Sequence, residues 1–158
     1  MSEADLPDTF RQLLAHHDHM TTTLARYHGR PVQLRVIAHN TDRRNYRRMI
    51  TLTPTGAARP VEFGIVRIDL TSTPPEPRAE ILDARVPLGD ILIRHNVLRR
   101  IEPLAFLRVP PDHPFAAPLL TATPDDEPPR AVYGRIGIIH CADRPAIELL
   151  EVVTDATA

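Results

Sequence analysis

Apolar residues recur along the chain in two rhythms, and the switch between them outlines its elements. Phe10, Leu13 and Leu14 fall at helical spacing after Asp8, a residue suited to capping a helix start. The run Thr21-Thr22-Thr23 interrupts this stripe, and Leu24 to Tyr27 predicts a second helical turn ending near Gly29. Val32, Leu34 and Val36 alternate with Gln33 and Arg35, the mark of a half-buried strand. Residues 40–45 are polar and charged and predict a loop. Strands follow at 46–53 and 61–70, joined through Pro54-Thr55-Gly56 in hairpin fashion. Residues 71–78 contain Pro74-Pro75-Glu76-Pro77 and read as loop. Pro87 suits the first turn of a short helix with Leu88, Ile91, Leu92 and His95 on one side. A strand over Leu104 to Val109 precedes a proline-dense loop or flap over Pro110 to Pro129. Two last strands, at 131–140 and 145–153, are joined by Ala142-Asp143-Arg144. Helices gathered at one side of mostly hairpin-linked strands predict an α+β domain on a single antiparallel sheet.

Three of these strands set a charge among apolar neighbours. Alternation places Arg48 with Ile50 and Leu52, Arg67 with Val61, Phe63 and Ile65, and Glu151 with Ile147, Leu149 and Val153. Arg135 shares its face with Tyr133, Gly137 and Ile139. A buried ion without a partner costs several kcal/mol, so folding alone does not account for these residues. One reading is an Arg–Glu network that closes the sheet face. The other is a pocket for a small anion, which the excess of Arg48, Arg67 and Arg135 over Glu151 favours. Glu148 is the competing carboxylate; alternation puts it on the opposite face, and the two roles swap if Glu148 points inward.

The chain has 158 residues, which predicts one domain over 1–158. Hydrophobic residues make up 42 % and aromatics 4 %, so the core must be aliphatic. The net charge of −1 supplies no field for nucleic acid or an anionic membrane. Every one of the 19 basic residues is Arg, which excludes Schiff-base chemistry on lysine and leaves anion recognition to guanidinium forks. The lone Cys141 excludes an internal disulfide and fits a reducing cytosol. No apolar stretch is long enough for a signal core or a membrane span, so a cytoplasmic protein is expected.

His16, His17 and His19 lie consecutively around a helix end, so only two could face one ion, and a solvated helix terminus is the simpler account. His140 and Cys141, adjacent on a strand, point to opposite faces, which argues against a catalytic pair. Neither a glycine-rich phosphate loop nor a Gly-x-Ser-x-Gly elbow occurs.

The order of motifs resembles the chorismate pyruvate-lyase (4-hydroxybenzoate synthase) family and its wider fold group, from about Leu13 to Val153. Asp18-His19-Met20-Thr21 is similar to the family's Asp-Ser-Met-Thr turn. Tyr46-Arg47-Arg48-Met49-Ile50-Thr51-Leu52 is similar to its Trp-x-Arg-acidic-Val-x-Leu strand, and Val86-Pro87-Leu88-Gly89 to its Thr-Pro-Leu-Gly helix start. Tyr133-Gly134-Arg135 resembles Trp-Gly-Arg, and Pro145 to Val152 the final strand with the family's glutamate. The resemblance implies a carbon–oxygen lyase that eliminates pyruvate from chorismate without metal or organic cofactor. It implies Glu151 and Arg48 as catalytic residues, with the amides of Met20 and Leu88 helping to hold a dicarboxylate substrate; Arg135 and Arg67 would add positive charge. The same fold also resembles the effector-binding half of some bacterial transcription regulators, which leaves a non-catalytic carboxylate sensor, or a lyase for a related substrate, as alternatives. A sensor of this length is expected to need a partner chain for DNA binding.

Overall fold

The computed structural model describes residues 1–120 and 132–155. After a single 3-10 turn at Glu3–Asp5 come α1 (Asp8–Leu14), α2 (Met20–His28), β1 (Val32–Thr41), β2 (Asn45–Pro54) and β3 (Glu62–Asp69). Then follow α3 (Pro75–Asp83), α4 (Leu88–Arg94), β4 (Arg99–Val109), α5 (Ala117–Leu120), β5 (Val132–Cys141) and β6 (Arg144–Thr154). The strands form one six-stranded sheet in the order β1-β2-β3-β6-β5-β4, antiparallel at every join. The α+β class with a single antiparallel sheet is therefore as the sequence predicts.

Several boundaries differ, each for a local reason. The stretch 71–78 is not all loop, because α3 begins at Pro75. Prolines in a first turn have no hydrogen bond to lose, and Ile81, fully buried, anchors the helix to the core. Asp8 does not cap α1 but lies inside its first turn, where its carboxylate accepts from Arg11 Nη1 at 2.8 Å. Strand β1 runs on to Thr41, and β4 starts at Arg99, earlier than Leu104. Both are edge strands, where charged and polar side chains mask the apolar alternation. Part of the Pro110–Pro129 flap lies outside the described residues; within the rest, Ala117–Leu120 is helical. The second helix ends at Gly29, whose φ of 67° is the left-handed conformation that a side chain disfavours.

Helices α1, α2 and α4 cover one face of the sheet and divide its core in two. Phe10, Leu13, Leu14 and Leu24 pack on Leu52 and Val153. Ile91 and Leu92 pack on Ile68, Ile147 and Leu149. Each fully buried leucine or isoleucine contributes roughly 1.5–3 kcal/mol. The opposite face carries a smaller cluster in which α5 covers Phe63 and Val152.

Candidate functional site

The seam between the two helical-side clusters holds a hollow of about 50 Å³. The sheet supplies its floor: Arg48 and Ile50 from β2, Glu62 and Val66 from β3, Leu149 and Glu151 from β6. Register explains the grouping, since Arg48 pairs with Val66, Val66 with Leu149, and Gly64 with Glu151. These positions share one face, and that face lies under the helices. The roof comes from two helix starts, His19-Met20-Thr21 at α2 and Pro87-Leu88-Gly89 at α4. Neither start is capped by a side chain.

Arg48 is the charge that the fold leaves open. It is 3 % exposed, and its Nε and Nη1 have no hydrogen-bond partner. Burial, the largest influence, holds its pKa below the ordinary guanidinium value; neighbouring Tyr46 acts the other way. Glu151, by contrast, is spoken for: its Oε2 accepts from Arg135 Nε at 2.6 Å. Glu62 lies 2 % exposed with Oε2 lacking a partner. Burial pushes its carboxyl well above the usual range, and the nearby Glu151 carboxylate adds to the effect. Burial thus favours the neutral acid form of Glu62.

His19 is neutral as well. Arg99 Nε donates to its Nε2 at 2.6 Å, and a guanidinium cannot accept a hydrogen bond. The imidazole proton therefore sits on Nδ1. Burial first, then Arg99 and Arg135, lower the His19 pKa to about 4. Close packing holds the ring: a Cβ on Gly89 would stand 2.8 Å from the Cβ of His19, so α4 can approach α2 this closely only with glycine there. In sum the hollow keeps one positive charge, on Arg48, beside neutral hydrogen-bonding groups.

The structure brings Arg48, Glu151, Met20 and Leu88 around one space and separates the other two expected residues from it. Arg67 does share a face with Phe63 and Ile65, but that is the outer face. Its guanidinium is 46 % exposed and pairs with Glu148, directly opposite on β6. The inward placement of Arg67 is corrected accordingly: both faces of β3 bury apolar groups, so alternation alone could not tell them apart. Glu148 points outward and Glu151 inward, as alternation indicated. Arg135 is 1 % exposed but does not line the hollow. Besides Glu151, it donates to the carbonyls of Leu14 at 3.2 Å, His16 at 3.0 Å and Asp18 at 3.3 Å. It acts as a bracket tying the α1–α2 link to the sheet.

Sequence reasoning missed Glu62 and His19. Glu62 is a charge set beside Val61 and Phe63 in a largely apolar strand, which was a usable signal; the pairing of His19 with Arg99, 80 residues away, left none. His16 bonds the Leu13 carbonyl and His17 that of Ile101, so the three histidines do not converge. Among the described residues no group of His, Cys, Asp or Glu is placed to hold a metal ion. Nor is any helix long and apolar enough to cross a membrane.

No family model and no curated protein matches the sequence. Solved structures share the fold. PhnF from Mycobacterium smegmatis superposes with a TM-score of 0.61 at 13 % identity, over 87 % of this chain and 64 % of that one. The chain thus spans less than two thirds of the PhnF chain. The effector domain of PhnF gives 0.58 at 14 % identity, over 87 % and 88 % of the two chains. The ligand-binding domain of a protein assigned as a GntR-family transcriptional regulator, from Bordetella bronchiseptica, gives 0.55 at 17 %, over 77 % and 85 %. The fold group implied by the sequence motifs is present. The expected carbon–oxygen lyase is overturned, since the proteins sharing this fold are an effector domain and a regulator's ligand-binding domain. The geometry agrees, because the carboxylate expected to act on substrate is already bonded to Arg135.

Proposed function

We propose that residues 1–158 form one non-catalytic, effector-sensing domain that binds a small molecule through a single carboxylate group. The observation that carries this reading is the buried Arg48 guanidinium, with Nε and Nη1 unpartnered, lining a hollow beneath the start of α2. Such a group is costly to the empty fold and is compensated when an anion docks. The charge balance supports one negative charge on the ligand rather than two: Glu151 offsets Arg135, His19 is neutral, and burial favours the neutral form of Glu62. In this reading Arg48 grips the carboxylate, the amides of Met20 and Leu88 add donors, and neutral Glu62 meets an uncharged polar group of the ligand.

The test is a thermal-shift and calorimetric series with acetate, pyruvate, lactate and 4-hydroxybenzoate. A bound carboxylate at a hundred times its dissociation constant should raise the midpoint by roughly 5–10 °C. The rise should vanish in Arg48→Met. Equal shifts with and without Arg48 would remove the assignment. Incubation with chorismate should release no pyruvate.

A further inference from the structure

Besides Arg48, the hollow holds a second hydrogen-bonding group whose direction is fixed, and it narrows the class of ligand. His19 is 6 % exposed and borders two spaces. On one side is the hollow; on the other is a surface groove lined by His17, Asp18, Arg99 and Arg100. Arg99 lines the groove and not the hollow, so the imidazole stands as a partition between them. Arg99 is itself anchored, since its Nη1 donates to the Val97 carbonyl at 3.2 Å. From that position its Nε donates to His19 Nε2 at 2.6 Å.

The two nitrogens of an imidazole face in nearly opposite directions, and the bond made by one sets the proton on the other. The Nδ1–H of His19 is therefore turned away from Arg99 and the groove. Among the described residues nothing accepts from it. A ring caught between Arg99 and the close backbone of Gly89 has little freedom to turn and satisfy it elsewhere.

The rest of the wall offers a donor few acceptors. Leu34, Ile50, Val66, Ile139 and Leu149 are aliphatic, and the Glu151 carboxylate is engaged by Arg135. Glu62, in the neutral form that burial favours, adds an O–H donor of its own. A ligand that suits this hollow brings acceptors and an aliphatic body, and no ammonium group.

We propose that the effector is an aliphatic oxo acid, with its carboxylate on Arg48 and its keto oxygen accepting from Nδ1–H of His19. The assignment rests on the carboxylate-sensing reading of the hollow and adds the ligand's second group. His19 determines specificity, and Arg99 is a positioning residue that acts through it. A plain acid leaves the Nδ1–H unpaired in an apolar wall, and an amino acid sets an ammonium against it. In both cases the discrimination comes from a buried polar group left without its partner.

Calorimetric titration of the chain with pyruvate, propionate and alanine at neutral pH tests the assignment. Pyruvate should bind at least about tenfold tighter than propionate, and alanine weaker than either. Arg99→Met releases the tautomer and His19→Leu removes the donor. Each should bring pyruvate to within about threefold of propionate and leave propionate binding as in wild type. In the unsubstituted chain the His19 Nδ1–H signal should move on adding pyruvate and stay in place on adding propionate, a readout that needs no variant to fold. Equal affinities for pyruvate and propionate, both abolished by Arg48→Met, overturn the oxo-acid assignment and leave the carboxylate site standing. Binding of neither acid overturns both. Alanine binding as tightly as pyruvate, or a pyruvate preference that survives His19→Leu, overturns the role of His19.

Discussion

Arg135 and Glu151 stand directly opposite each other on β5 and β6, with Nε and Oε2 2.6 Å apart. This contact decides which charge the hollow keeps. Glu151 lies on the face beside both Arg48 and Glu62, yet its oxygen is committed to Arg135. Arg48 is left with Nε and Nη1 unpartnered, and burial, with the Glu151 carboxylate adding to it, pushes the Glu62 pKa up.

Arg48→Met should separate function from stability. Removing a buried charge two of whose nitrogens lack hydrogen-bond partners relieves a desolvation cost, so the empty domain should gain about 1–3 kcal/mol in a denaturant titration. Carboxylate-induced stabilisation should disappear in the same variant. A destabilised Arg48→Met would show that the guanidinium holds the fold together.

The two arginines outside the hollow should behave oppositely. Arg135→Leu strands Glu151 and leaves three carbonyls without a donor, which should cost about 3–5 kcal/mol in chemical unfolding. Arg67→Ala removes a screened surface pair with Glu148 and should cost less than about 1 kcal/mol.

His19 should make the domain acid-sensitive. Its folded pKa of about 4 lies below the ordinary 6.5, so between these values the unfolded chain takes up a proton that the folded one refuses. Stability is full above pH 6.5 and falls as pH drops towards 4, by on the order of 3 kcal/mol. Thermal midpoints of His19→Gln should show a shallower acid decline. Nitrogen-15 shifts of wild-type His19 should report the Nδ1–H tautomer at pH 7, and Arg99→Met should mix the tautomers.

Glu62 acts in the other direction. Its raised pKa gives stability that is complete below the ordinary carboxylate value and is lost as pH rises. Glu62→Gln mimics the neutral acid, so its midpoint should exceed that of wild type by roughly 3–6 °C at pH 8 and converge with it near pH 4. A variant less stable than wild type at pH 8 would show that Glu62 is held as a carboxylate.

By itself the sequence determined the antiparallel sheet and the inward placement of Arg48 and Glu151. The alternation Tyr46-Arg48-Ile50-Leu52 and Ile147-Leu149-Glu151-Val153 is a period-2 property of the chain, and the structure keeps it. What tertiary structure alone decided was pairing. Nothing local distinguishes the faces of β3, where Glu62 and Val66 go in while Ile65 and Arg67 go out, because apolar residues occupy both. That Arg135 rather than Arg48 takes Glu151 follows from the β5–β6 register, and that Arg99 fixes His19 follows from the meeting of β4 with α2. Alternation is written residue by residue, whereas the partner of a buried charge depends on which distant strand arrives beside it, and that geometry exists only after the chain has folded.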